Sequence, residues 1–128
     1  MQDKMLVMDS SAWLAMFDAE PAVKAIIENQ DLITPSIALA EVAKILKQRG
    51  NSDETIESLV SKIKRESTIL SLDENNAALA GVLSIKNHFD FVDGVIYSYA
   101  AQDRKVVSTD GDFKNKPFAI YVDLRKKK

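Results

Sequence analysis

Short apolar runs alternate along this chain with segments whose apolar residues recur at helical spacing. The runs that end at polar or turn residues predict strands. They are Lys4–Met8, Leu32–Thr34, Thr68–Leu72, Lys105–Ser108 and, at a sheet edge, Ala119–Val122. Capping residues and three-or-four-residue spacing predict the helices. They are Ala12–Phe17, Glu20–Asn29, Ser36–Arg49, one capped by Ser52 or Asp53, one through Ala77–Ile85, and Val92 to about Gln102. Strands alternating with helices predict an α/β domain with a mainly parallel sheet.

Length and composition fit one domain. The chain has 128 residues, no Cys, one His and a net charge of −2. We expect one domain over residues 1–124 and a basic tail over residues 125–128. No apolar run approaches the roughly 20 residues of a membrane span, and the N-terminus lacks a signal-peptide pattern. These features and the missing Cys lead us to expect a cytoplasmic protein without membrane contact.

Several carboxylates are predicted at one edge of the sheet. Asp9 ends the first strand, and Asp110 and Asp112 follow the strand Lys105–Ser108. Asp93 lies in the first turn of its helix, and Glu41 lies in a nearly all-apolar helix where we expect substantial burial. Ligands of parallel sheets bind beyond the carboxyl ends of the strands. The pattern therefore predicts a site at this edge.

Each acid also has a purely structural interpretation. Asp9 can cap the following helix, and Asp93 has capping-box spacing from Asp90. Asp110 can belong to an ordinary Asp-Gly turn, and Glu41 can pair with a lysine on its own helix, Lys44 or Lys47. These interpretations work one at a time and do not explain why the acids share an edge.

Carboxylates gathered in one place repel each other, and their pKa values rise unless a cation lies among them. With oxygen ligands, no Cys and a single His, the expected ion is Mg²⁺ or Mn²⁺. When Asp9, Glu41, Asp93, Asp110 and Asp112 are left out of the count, the chain has 14 acidic and 17 basic residues. The slight overall acidity therefore does not exclude a nucleic-acid partner.

Four short motifs occur in an informative order. They are Val7-Met8-Asp9-Ser10-Ser11, Ile37-Ala38-Leu39-Ala40-Glu41-Val42, Phe91-Val92-Asp93-Gly94-Val95-Ile96-Tyr97-Ser98-Tyr99-Ala100 and Val106-Val107-Ser108-Thr109-Asp110-Gly111-Asp112-Phe113. In this order and setting, the chain resembles the PIN-domain ribonucleases, specifically the small toxins of VapBC-type toxin–antitoxin pairs. The resemblance covers about Lys4 to Val122.

The resemblance implies a three-layer α/β/α sandwich and an endoribonuclease dependent on Mg²⁺ or Mn²⁺. It implies that Asp9, Glu41, Asp93 and Asp110 bind the metal and carry catalysis, with Asp112 as a further acid that assists or replaces Asp110. Ser11 matches the hydroxyl residue that orients the first Asp, and Ser108 stands where Thr is usual. A homodimer and a small antitoxin whose C-terminal segment occupies the site are also implied.

Two alternatives stay open. A degenerate PIN-type domain would bind RNA or protein without activity, and a PIN-like DNA nuclease would share the metal site. The basic residues Arg104, Lys105, Lys114 and Lys116 are predicted near the acidic edge, where they could contact phosphates. The apolar cluster of Trp13, Met16 and Phe17 is predicted to pack in the core or against a partner.

Overall fold

The structure, a computed structural model, describes residues 5–126, and within them five strands form one sheet. The strands are β1 (Met5–Met8), β2 (Asp31–Pro35), β3 (Thr68–Leu70), β4 (Val106–Ser108) and β5 (Ala119–Tyr121). The α-helices of the same residues are α1 (Ser10–Phe17), α2 (Pro21–Ile27), α3 (Ser36–Gln48), α4 (Asp53–Glu66), α5 (Glu74–Lys86) and α6 (Phe91–Tyr97). Lys4 of the predicted first strand and Lys127 and Lys128 of the predicted tail lie outside the described residues.

All the strand pairs are parallel, and the spatial order is β3-β2-β1-β4-β5. This confirms the α/β class with a parallel sheet and the predicted position of β5 at an edge. The chain builds the sheet outward from β1 in one direction through β3, and then in the other through β4 and β5. The reversal creates a crevice between the carboxyl ends of β1 and β4, where ligands of such sheets bind.

The two faces of the sheet pack against different helices. Leu6 and Met8 point to a core shared with α1, α2, α4 and part of α3. Val7 and Val106 point to a second core formed with α5, α6 and the ring of Phe113. This alternation follows from the two-residue period of a strand. It gives the three-layer α/β/α sandwich that the resemblance implies.

Trp13 anchors α1 to the sheet and has no exposed surface. Its Nε1 donates a hydrogen bond to Oγ1 of Thr34 at 3.0 Å, and that hydroxyl also bonds with Ser67 at 2.8 Å. Met16 and Phe17 are partly buried against the same core. The cluster of Trp13, Met16 and Phe17 thus packs largely in the core, which is one of the two roles predicted for it.

Helix α6 ends at Tyr97, so the prediction of a helix reaching Gln102 was wrong. The Ser98 hydroxyl donates to the carbonyl of Val95 and competes with further helical bonds. Beyond it, Ala101 and Arg104 exchange backbone hydrogen bonds in a tight turn that leads into β4. The Arg104 guanidinium donates to the Tyr99 carbonyl at 2.8 Å and stabilises this turn.

Of the helices within residues 5–126, none is long and apolar enough to cross a membrane.

Candidate functional site

Asp9 lies directly after β1 and is 3% exposed. Its Oδ1 accepts a hydrogen bond from the backbone N–H of Ala12 at 2.8 Å, so it caps α1. The same oxygen accepts the Ser11 hydroxyl at 2.7 Å. Capping and a role in a site are therefore compatible, because the cap fixes the orientation of a buried carboxylate at the crevice.

Ser11 connects the ends of β1 and β4. Its Oγ lies 3.2 Å from the hydroxyl of Ser108 and accepts the backbone N–H of Thr109 at 2.9 Å. The Ser108 hydroxyl in turn accepts the N–H of Asp110 at 3.0 Å. These short polar side chains fix the position of the loop that carries the acidic residues after β4.

Asp110 begins a short 3₁₀ helix over Gly111–Phe113. Its Oδ1 accepts the N–H of Asp112 at 3.0 Å, so the predicted turn chemistry is present. Phe113 ends this helix and is fully buried in the second core. The buried ring holds an otherwise exposed acidic loop at the edge of the sheet.

Asp93 lies in the first turn of α6 and is 7% exposed. The N-cap of that helix is Asp90, whose Oδ1 accepts the N–H of Asp93 at 3.0 Å. Oδ2 of Asp93 is buried and has no hydrogen-bond partner among the described residues. A buried carboxylate oxygen without a partner is costly, so this atom indicates a ligand such as a cation.

Asp90, Asp93 and Asp112 each place a carboxylate oxygen within 4.8 Å of the others. Sequence reasoning named Asp93 and Asp112 as candidate ligands and assigned Asp90 only a capping role. The missed signal was the spacing itself, because residues three apart on a helix are neighbours on one face. A cap and an acid at that spacing put two carboxylates side by side.

The pKa of Asp93 is raised to about 8, mainly by burial and in addition by the carboxylates of Asp90, Asp110, Asp9 and Asp112. Burial also raises the pKa of Asp9 to about 6, although the Ser108 and Ser11 hydroxyls and the Ala12 N–H favour its ionised form. These upward shifts agree with the prediction for carboxylates gathered without a cation. A divalent cation among them would favour the ionised forms.

Glu41 is only partly buried, so the expectation of substantial burial was wrong. Its helix turns the neighbouring Ala40 and Lys44 toward solvent, and the carboxylate lies between core and surface. Oε1 of Glu41 accepts the Ser10 hydroxyl at 2.9 Å. This bond ties Glu41 to the start of α1, next to Asp9. Like Asp9 and Asp110, Glu41 is not in the group of mutually close carboxylates.

Of the four basic residues predicted near the acidic edge, only some lie where they could contact a phosphate there. Lys105 precedes β4 and so lies at the opposite edge of the sheet, and the Arg104 guanidinium holds the turn described above. Lys116 donates to the carbonyl of Asn87 at 2.8 Å and lies over the Phe89 ring. Lys114 remains, because it is exposed and follows the 3₁₀ helix of Asp112.

The family model of the PIN domain matches residues 6–119. The chain belongs to the PIN-domain family. This confirms the resemblance drawn from the motifs. No curated protein matches the chain.

Solved structures of PIN-domain size share this fold. A toxin–antitoxin complex from Klebsiella pneumoniae contains a chain with TM-score 0.73 and 16% identity, covering 90% of this chain and 95% of that one. VapBC2 from Rickettsia felis, bound to a promoter DNA fragment, gives 0.71 and 17%, covering 92% and 97%. VapC20 from Mycobacterium tuberculosis, a sarcin–ricin loop cleaving toxin, gives 0.71 and 18%, covering 91% and 98%. At these identities the likeness establishes a shared fold.

Proposed function

We propose that this PIN-domain chain is a divalent-metal-dependent endoribonuclease and the toxin of a type II toxin–antitoxin pair, acting in the cytoplasm. The observation that carries the proposal is the buried, unpartnered oxygen of Asp93 at the crevice, with the carboxylates of Asp9, Asp110 and Asp112 near enough to raise the pKa of Asp93. The donor set consists of oxygens, which suits Mg²⁺ or Mn²⁺. Structural likeness to toxins, one of them a sarcin–ricin loop cleaving toxin, supports the choice of substrate.

We assign the metal to Asp9, Glu41, Asp93 and Asp110, with Asp112 assisting. When bound there, the ion supplies an activated water and neutralises charge that develops on a phosphodiester. Ser11 holds the Asp9 carboxylate through Oδ1 and joins it to the loop after β4. Ser108 supports that loop by accepting the N–H of Asp110.

Two further side chains, Ser10 and Lys114, support the proposed site. Ser10 donates to Glu41 and brings that carboxylate toward the start of α1. Lys114, exposed beside the acidic loop, is placed to contact an RNA phosphate. Its role is electrostatic, so we expect a Lys114→Ala variant to bind RNA more weakly with a reduced salt dependence.

The deciding experiment compares cleavage of a structured RNA and of a DNA hairpin of the same sequence, in Mg²⁺, in Mn²⁺ and in EDTA. Asp9→Asn is the test variant, because Asn keeps the capping oxygen but removes the charge. We expect it to lose at least ~100-fold in RNA cleavage, on the scale of losing one transition-state contact. Asp73→Asn is the matched control, since Asp73 caps α5 in the same way and lies outside the carboxylate group.

Cleavage that survives both EDTA and Asp9→Asn would contradict the metal mechanism. Cleavage of the DNA hairpin alone would favour a DNA nuclease. Failure to cleave, together with no divalent binding in calorimetry, would favour a binding module without activity.

The proposed partners are a second copy of the chain and a small antitoxin. Leu79, Val82 and Ile85 form an exposed apolar strip on α5, with Ile85 78% exposed, and this strip is where we place the second copy. Light scattering of wild-type protein and of Ile85→Asp tests the dimer, and equal monomeric masses for both would contradict it. Co-purification of a small upstream-encoded protein, inhibiting cleavage, tests the antitoxin.

A further inference from the structure

Asp90 does more in this structure than the four motifs assign to it. The acids named from the resemblance do not include it, and its evident role is to cap α6 through a hydrogen bond from the Asp93 N–H. Its side chain is nonetheless exposed at the same edge as the proposed site, and it contributes an oxygen to the group with Asp93 and Asp112.

The spacing of these oxygens suits one bound ion. They lie within 4.8 Å of one another, and ligands of a single divalent cation lie roughly 3–5 Å apart, depending on whether they are adjacent or opposite. They come from two elements, the first turn of α6 and the 3₁₀ helix after β4, which are fixed by the buried Phe113 and by the caps.

A second observation points to a ligand at this place. Oδ2 of Asp93 is buried and unpartnered, on a side chain that is 7% exposed. Within residues 5–126, Lys47, Arg49, Lys62 and Arg125 form ion pairs, each with an acid outside this group. No protein cation in that part of the chain forms an ion pair with the three carboxylates, although one of them is buried.

We infer that Asp90 is a cation ligand, forming with Asp93 and Asp112 a three-carboxylate site for a divalent metal. Asp90 then has two roles, since one oxygen caps α6 while the carboxylate also faces the ion. The inference rests on the proposed function through Asp93 and Asp112, which belong to both ligand sets. Cation binding can be measured without RNA, so the two can fail separately.

The test is Mn²⁺ binding to the full chain, followed by calorimetry and by the electron paramagnetic resonance signal of free Mn²⁺. Asp90→Asn keeps a capping oxygen and removes the charge, and Asp90→Ser is a second capping replacement in case the first fails to fold. Asp73→Asn is the matched control, because it changes an N-cap with the same geometry on α5. We expect Asp90→Asn and Asp90→Ser to weaken Mn²⁺ binding at least ~10-fold and Asp73→Asn to leave it unchanged.

A double-mutant cycle with Asp112→Asn gives an independent readout. If Asp90 and Asp112 hold the same ion, the combined variant loses less affinity than the product of the single losses, because one loss already disrupts the site. Unfolding midpoints in EDTA check that the capping role is preserved, and we expect that of Asp90→Asn to fall no more than that of Asp73→Asn, because Asp90→Asn also relieves the repulsion of Asp93.

Wild-type Mn²⁺ affinity in both Asp90 variants overturns the inference, and so does an equal loss in Asp73→Asn. If RNA cleavage requires Asp9 while the Asp90 variants bind Mn²⁺ normally, the proposed function stands and this inference fails. If the Asp90 variants lose Mn²⁺ but the wild type cleaves no RNA, the inference stands and the proposed function fails.

Discussion

Helices α5 and α6 pack closely at Gly94, the residue after Asp93. A Cβ atom added there would lie 2.7 Å from Cβ of Ser84, 2.9 Å from the carbonyl oxygen of Ala80 and 3.2 Å from Cα of Ser84. The first two distances are well inside van der Waals contact, and none of these atoms can rotate away. A Gly94→Ala variant must therefore move α6 away from α5.

Gly81 provides a matched comparison within α5. A Cβ atom added at Gly81 meets nothing within 4 Å. Gly81→Ala should therefore stabilise the chain by about 0.5–1 kcal/mol, through the higher helix propensity of Ala. Gly94→Ala gains the same propensity term but has overpacking of about 3 kcal/mol set against it, the upper end of the usual range because backbone atoms are involved. The net loss should be about 2 kcal/mol, so the two variants should differ by about 3 kcal/mol.

Urea unfolding in EDTA measures this difference, with the fluorescence of the single, buried Trp13 as the probe. The displacement also moves Asp93, so Gly94→Ala should bind Mn²⁺ more weakly than Gly81→Ala. Equal unfolding midpoints for the two variants would refute the packing argument, because helix propensity alone predicts the same gain at both positions.

Two more experiments, a change of pH and a Ser11→Ala variant, test the site. The pKa values of Asp9 and Asp93, about 6 and about 8, lie above the ordinary 3.8, so the metal-free chain holds protons that the unfolded chain has lost. The contribution of these two groups to the free energy of unfolding should be largest below pH 4 and should decrease as the pH rises to about 8. Added Mn²⁺ should stabilise the folded chain more at pH 8 than at pH 5. Thermal unfolding with EDTA and with Mn²⁺ checks this, and an EDTA midpoint that rises from pH 5 to pH 8 would contradict it. Ser11→Ala removes the hydroxyl shared by Asp9, Ser108 and the N–H of Thr109, and should lower the free energy of unfolding by about 1–3 kcal/mol in urea titrations; an unchanged midpoint would show that water replaces the hydroxyl.

Local signals predicted most of the fold. Ser52 and Asp73 cap α4 and α5 as the sequence suggested, each accepting an N–H at the third residue on. The end of α6 was missed because the residues after Tyr97 have an ordinary helical composition. What stops the helix is the Ser98 hydroxyl bond to a carbonyl and the contact of Arg104 with Tyr99, and the latter depends on the turn into β4.

The site was predictable as far as it depends on strand ends. Asp9 and Asp110 follow neighbouring strands, so the parallel order alone brings them to one edge. Asp90 was missed because capping fully explained its residue type. Lys105 was misplaced because nearness in sequence to Asp110 was taken as nearness in space, whereas Lys105 precedes β4 and Asp110 follows it. The partial exposure of Glu41 depends on how α3 lies across two cores, and the apolar pattern of one helix cannot reveal that.

The hydrogen bond from the Thr109 N–H to Ser11 joins residues 98 positions apart. β1 and β4, which flank the crevice, are adjacent in space, but the ribosome makes β1 first and β4 near the end of the chain. A growing chain that has produced β1, β2 and β3 has a hydrophobic core in formation but no second wall for the crevice. Contacts of such long range form late, since the intervening chain must first lose its freedom. A ribosome-bound fragment that stops before β4 therefore lacks the assembled carboxylate edge, and the proposed metal site would be complete only when almost the whole chain has folded.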